Sequence, residues 1–143
     1  MHIEQSVEQR VEQIKEDLAL FDNDLEKYEY IIDLGKQLDA LESCHEKEEN
    51  LVQGCTSKVW LVCEIKEGKL IFKANSNAMI VKGLVYILIY LFSDLTPKEI
   101  LSTDLNILKQ LNLIEIITPN RQSGVTGMLK RIKEYAYAFD KKQ

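Results

Sequence analysis

The chain is poor in the residues that mark several large classes of protein. It has six glycines in 143 residues, and none stands in a Gly-x-Gly-x-x-Gly or Gly-Lys-Ser/Thr arrangement after an apolar run, which excludes the phosphate-cradling loops of nucleotide enzymes. There are two histidines, His2 at the chain terminus and His45 in a charged run, and no oxyanion motif accompanies either. A Cys-His hydrolase is therefore not expected. Three cysteines, Cys44, Cys55 and Cys63, cannot all pair with one another, and no Cys-x-x-Cys knuckle exists. Cys44, His45, Cys55 and Cys63 consequently make a poor zinc set, and reduced thiols in a cytoplasm are the expectation.

Positive charge is also scarce. Lys and Arg number 18 against 23 Asp and Glu, a net charge of −5, whereas a nucleic-acid binder needs cations to displace the counterions around phosphates. A protein partner or a small molecule fits better. The most apolar stretch, Met79 to Phe92, carries Lys82 and is shorter than the roughly 20 residues a bilayer requires. The start, Met1-His2-Ile3-Glu4, lacks the basic and then apolar run of a secretory signal. Neither a membrane partner nor export is expected. The acids are scattered over helical faces, so no paired-carboxylate site suggests itself.

What is present is an ordinary globular composition, 45 % hydrophobic and 29 % charged, over a length that fits one domain spanning residues 1–143. Ile3, Val7, Val11, Ile14, Leu18 and Phe21 recur at helical spacing and predict an amphipathic N-terminal helix within 1–22, ended by Asp22-Asn23-Asp24. Leu25, Tyr28, Ile31, Ile32 and Leu38 predict a second helix ending near Leu41, with Gly35 placed for close approach of another backbone. Glu42 to Asn50 is polar and reads as an exposed loop. The alternation from Val59 to Lys66 and the run Leu70 to Ala74, joined by Lys66-Glu67-Gly68-Lys69, predict an antiparallel hairpin over 58–74.

Asn75-Ser76-Asn77 is placed to cap the buried helix that follows, through Ser76 or Asn77. Thr96-Pro97-Lys98-Glu99 is a helix start, with a Thr cap, Pro at the first position and Glu closing the capping box. Leu105, Leu108 and Leu111 suit a further helix, Leu113 to Ile117 its continuation or a short third strand, and Thr118-Pro119-Asn120 a break. A last helix is expected from about Gly124 to Phe139. The sum is an α+β domain, a small antiparallel sheet covered by helices.

One stretch invites chemistry: Leu51-Val52-Gln53-Gly54-Cys55-Thr56-Ser57-Lys58-Val59-Trp60-Leu61, where a charged run gives way to a strand. A sulfur-accepting cysteine needs a thiolate, short neighbours that let another sulfur approach in line, and a mobile backbone. Gly54, Thr56 and Ser57 supply small neighbours, and the two hydroxyls are placed either to hold an anionic sulfur or to close a turn. The residues alone leave three readings open: a sulfur carrier, a thiol redox or disulfide module with Cys44 or Cys63 as resolving thiol, and an interaction module in which Cys55 is incidental.

This stretch resembles the cysteine motif of the SufE family, which accepts sulfur from cysteine desulfurases for iron–sulfur cluster assembly. Tyr28-Glu29-Tyr30-Ile31-Ile32-Asp33-Leu34-Gly35, Ala78-Met79-Ile80-Val81-Lys82-Gly83-Leu84, Leu95-Thr96-Pro97-Lys98-Glu99-Ile100 and Thr118-Pro119-Asn120-Arg121-Gln122-Ser123-Gly124 match the family in order and spacing, so the resemblance runs from about Asp24 to Phe139. It implies that Cys55 carries the persulfide on a loop that shelters it when free, and that Arg121 lies near that loop, where a cation favours the anionic sulfur. It further implies an accessory protein without an activity of its own and without cofactor or metal, pyridoxal phosphate residing on a SufS-type or CsdA-type desulfurase partner. A downstream iron–sulfur scaffold would be the second partner, and the chain itself a monomer or weak homodimer. The family's acidic segment before the central helix is here Ala74-Asn75-Ser76-Asn77, which keeps capping groups and loses the charge. Cys44 and His45 have no counterpart in the pattern and are assigned no role.

Overall fold

The computed structural model describes residues 6–39, 41–113 and 116–142. His2 and Ile3 lie outside them. Helix α1 runs Val7–Ala19, opened by a capping box in which the Ser6 hydroxyl accepts from the Gln9 amide and the Gln9 side chain accepts from the Ser6 amide. Its stripe Val7, Val11, Ile14 and Leu18 is buried, as the period requires. Arg10, on its flank, donates from Nη1 to the carbonyls of Tyr90, Leu91 and Ser93 at 3.2, 3.3 and 2.7 Å. These carbonyls end the central helix, where backbone acceptors lack intrahelical donors and the dipole favours a cation.

Helix α2, Asp24–Gly35, is capped by Asn23 and stops well before Leu41. The chain continues as 3-10 turns at Ser43–His45 and Glu48–Asn50. Leu25, read as part of the buried stripe, is 67 % exposed; it sits in the first turn of α2, where the buried face is carried by Ile31, Leu34 and Gly35 further along.

Strands β1 (Val59–Lys66) and β2 (Lys69–Ser76) form a two-stranded antiparallel sheet in the register Val59 opposite Ser76 through Lys66 opposite Lys69. Glu67 and Gly68 both have positive φ, 53° and 79°, the type I′ geometry whose twist matches a hairpin. Single bridges extend the sheet on both sides, Leu51 with Trp60 and Leu70 with Leu95. The described part of 113–117 is not a strand: the amides of Ile116 and Ile117 both donate to the Leu113 carbonyl, which makes a turn.

Helix α3, Met79–Phe92, is the hydrophobic centre, with Ile80, Val81, Leu84, Val85, Ile87, Leu88, Leu91 and Phe92 buried. Its cap differs from expectation. Ala78 is the N-cap and makes no side-chain bond, because Ser76 belongs to β2 and its hydroxyl donates to the Lys58 carbonyl while accepting from the Ala78 amide. Asn77 instead accepts from the Lys58 amide at 3.1 Å. Helix α2 crosses α3 at Gly35 and Gly83, where a Cβ on Gly83 would lie 2.0 Å from the Ile31 carbonyl oxygen.

The Thr96 capping box and Pro97 start α4, Pro97–Leu101, as expected. A 3-10 stretch, Leu105–Leu111, stands where a further helix was expected. Helix α5 begins earlier than Gly124 and spans Pro119–Lys141. Thr118 and Pro119 do not break the chain there; they are the N-cap and first residue of the helix, the arrangement already used at Thr96-Pro97. The buried faces of β1 and β2, Val59, Leu61, Leu70, Phe72 and Ala74, share one core with α1, α3 and α5. The α+β class expected from the sequence is the class observed. No helix among the described residues is long and apolar enough to cross a membrane.

Candidate functional site

The segment before β1 doubles back on itself. The Val52 amide donates to the Val59 carbonyl at 2.9 Å, and Lys58 is fixed from the far side by Ser76 and Asn77, so residues 53–58 form a loop closed at its base. Gly54 has φ 88° at the tip, a conformation that side chains resist. Cys55 follows, half-buried, between the exposed Gly54 and Thr56.

The loop lies along α5 and runs antiparallel to it. Arg121 Nη1 donates to Ser57 Oγ at 2.8 Å. One turn on, Gly124 faces Cys55, whose Sγ donates to the Gly124 carbonyl at 3.6 Å. The next turn brings Gly127 against the Gln53 carbonyl oxygen, where a Cβ would approach to 2.6 Å. Further still, Arg131 donates to the Glu49 carbonyl at 2.9 Å, and Tyr135 Oη donates to the Leu61 carbonyl at 3.0 Å. Positions 121, 124, 127 and 131 share one face because their spacing of three, three and four is that of the helix itself. Two arginines thus pin the ends of the cysteine segment, and two glycines between them leave room for its backbone and thiol.

Beside Cys55 is a recess of about 10 Å³ lined by Val81, Leu84 and Met128 from the core side and by Ser57, Asn120 and Arg121 at the rim. That is room for roughly one water. Burial raises the Cys55 pKa above the usual thiol range, so the resting group is a thiol. The cation expected to favour the anion, Arg121, is near but spends its Nη1 hydrogen bond on Ser57.

The remaining candidates sit elsewhere. Cys63 follows Val59 and Leu61 along one face of β1 but lies at its rim, half-buried, and burial together with the Glu64 carboxylate pushes its pKa up to about 12. Cys44 and His45 are exposed on the 3-10 turn before the loop. All three cysteines are free thiols. Asn75 donates to Glu46 at 2.8 Å, where an aspartate would face a like charge. Sequence reasoning missed Gly127 and Arg131 altogether, and gave Gly124 no role. The signal was present in the spacing of three or four residues that links Arg121 to Arg131, but it has meaning only once the loop is known to lie on that face.

Among known proteins, a family model described as "SufE: Fe-S metabolism associated domain" matches residues 12–136. An uncharacterized SufE-like protein of Rhizobium meliloti (strain 1021) is 38 % identical over 131 residues, covering 88 % of this chain and 94 % of the relative. The solution structure of a hypothetical protein from Thermus thermophilus shares the fold with a TM-score of 0.74 at 18 % identity, covering 90 % of this chain and 94 % of that one. The family match takes in the cysteine loop, both of its arginine contacts and the helix beneath it as far as Ala136, and on that footing the chain belongs to the SufE family, the Fe-S metabolism associated domain.

Proposed function

We propose that the chain is a sulfur acceptor and carrier that activates a cysteine desulfurase in iron–sulfur cluster assembly. The Cys55 thiolate attacks the outer sulfur of a persulfide held by a pyridoxal-phosphate desulfurase of SufS or CsdA type. A sulfur–sulfur bond forms to Cys55 as the one in the partner breaks, and the electron pair leaves on the partner's thiolate. The oxidation count does not change, so this chain needs no oxidant or cofactor of its own. A cluster scaffold then takes the sulfur, in a cytoplasm where thiols stay reduced. Clearing the persulfide raises the turnover of the desulfurase; alone, this chain turns over nothing.

The observation that carries this reading is the seat of Cys55. Its thiol is half-buried and protonated on a loop that is tied to α5 by a few side-chain contacts, next to a recess of about one water's size that suits one additional sulfur atom. Lifting the loop exposes the thiol and removes the desolvation that holds its proton. When the sulfur returns as an anion, the rim of the recess offers the Arg121 guanidinium and the positive end of α5. The test is incubation with a desulfurase and cysteine, followed by mass spectrometry. One or more sulfur atoms are expected on Cys55, and Cys55→Ser abolishes stimulation of the desulfurase. Undiminished stimulation by the serine variant would overturn the reading.

A further inference from the structure

Apart from the cysteine loop, the described residues bring together one set of three metal-ligating side chains, Glu42, Cys44 and His45, whose donor atoms all lie within 4.8 Å of one another. Neither Cys55 nor Cys63 takes part. The set that reads as a poor zinc site in the sequence joins Cys44 and His45 to those two cysteines, whereas the local fold supplies Glu42 as the third donor. We propose that this turn is a binding site for one divalent ion of borderline softness, Zn²⁺ by its donor set, held by the Glu42 carboxylate, the Cys44 thiolate and the His45 imidazole with a fourth position open to solvent.

The spacing follows from the backbone. Cys44 and His45 lie in the 3-10 turn Ser43–His45 and Glu42 is its N-cap, so all three donors come from four consecutive residues. Cys44 Sγ stands 3.7 Å from Glu42 Oε2. Zinc bonds of about 2.3 Å to sulfur and about 2.1 Å to oxygen at a tetrahedral angle put those two donors about 3.6 Å apart. The pair therefore stands at ligand spacing already, and a ring nitrogen of His45 lies within 4.8 Å of both. The turn is held from both sides: the His45 amide donates to the Glu42 carbonyl at 2.9 Å, Asn50 Nδ2 donates to the His45 carbonyl at 2.8 Å, and Asn75 anchors Glu46.

The charges agree with the geometry. Residues 42–49 carry four glutamates and one lysine, a net charge of −3, a local field that draws a cation. At present the Cys44 thiol donates to Glu42. An ion would take the place of that proton, which leaves to solvent as the sulfur–metal bond forms, and the carboxylate and thiolate together neutralise its two charges while imidazole stays neutral. A nitrogen, a sulfur and an oxygen donor form a mixed set suited to Zn²⁺ and its spectroscopic substitute Co²⁺.

Cobalt titration of the whole protein tests the proposal. One equivalent of Co²⁺ should give a thiolate-to-cobalt charge-transfer band and the strong visible bands of tetrahedral coordination, both displaced by Zn²⁺. Cys44→Ser should remove the charge-transfer band, His45→Gln and Glu42→Gln should each weaken binding by about tenfold or more, and Cys55→Ser and Cys63→Ser should leave the spectrum intact. All three ligands are exposed, so these variants fold, which circular dichroism verifies. No band in the unaltered protein, a band that survives Cys44→Ser, or one that depends on Cys55 or Cys63 would overturn it, as would indifference to His45.

Discussion

Two places in this molecule use glycine to bring backbones together, and they do opposite work. At the crossing of α2 and α3, a Cβ on Gly83 would lie 2.0 Å from the Ile31 carbonyl oxygen, and one on Gly35 would lie 2.6 Å from the Gly83 amide nitrogen. Both partners meet there through buried residues of one core, and neither can yield without disturbing Ile31, Leu34 and Leu84. At the contact of α5 with the cysteine loop, a Cβ on Gly127 would lie 2.6 Å from the Gln53 carbonyl oxygen, and one on Gly124 only 3.4 Å from Cys55 Sγ. There the partner is an exposed loop that has somewhere to go. The same residue type thus joins two helices in the core and seats a loop at the surface, and what differs is the exposure of the opposite side.

Substitution by alanine breaks or sharpens that comparison. Gly83→Ala should be the most damaging, costing about 3 kcal/mol or more by overpacking two helices, read as a large drop in the denaturation midpoint; a near-normal midpoint would remove the distinction. Gly127→Ala should change stability by about 1 kcal/mol or less, because helix propensity gains about as much as the displaced loop loses, while Cys55 becomes several times more reactive toward an alkylating reagent. Gly124→Ala comes last: its contact is ordinary, so stability should rise slightly with propensity and Cys55 alkylation should hardly change. Equal effects of the two α5 variants on Cys55 would show that the loop does not rest on Gly127.

The thiols offer a finer version of the same contrast, through pH. Cys55 and Cys63 both have folded pKa values raised by burial, Cys63 to about 12 from a usual 9.0. A group raised in this way stabilises the fold below the unfolded value and loses that contribution as pH climbs toward the folded one, since the unfolded chain ionises first. For Cys63 the loss falls between about pH 9 and pH 12, and Cys63→Ala should flatten that part of the stability profile. Cys55, between the exposed Gly54 and Thr56, should be alkylated faster than Cys63 at every pH across this window. A slower Cys55 would mean that its seat is as closed as the strand's rim.

How much of this was legible in advance depended on how far apart the interacting residues lie in the chain. Local patterns were readable: the stripe Val7, Val11, Ile14 and Leu18 and the Thr96-Pro97-Lys98-Glu99 helix start involve residues a few positions apart, and the hairpin grows outward from a tight turn between Lys66 and Lys69. The reading failed where one local signal admits two outcomes. Thr118-Pro119 breaks a helix that precedes it and opens one that follows, and the second applies here. Ser76 suits a helix cap and also a strand end, and the pull of Lys58 decided it.

By itself, then, the sequence determined the α+β class, the order of its elements, the candidate stretch around Cys55 and the family resemblance, because periodicity, caps, turns and motif spacing are all written within short windows. Only the tertiary structure decided that the stretch lies on α5, with Arg121, Gly124, Gly127 and Arg131 beneath residues separated from them by about 64 to 82 positions. It also decided that Arg10 closes the end of α3 and that burial, rather than a neighbouring cation, sets the resting state of Cys55. Contacts over such separations depend on how helices and loop pack in three dimensions, and desolvation exists only once that packing has excluded water.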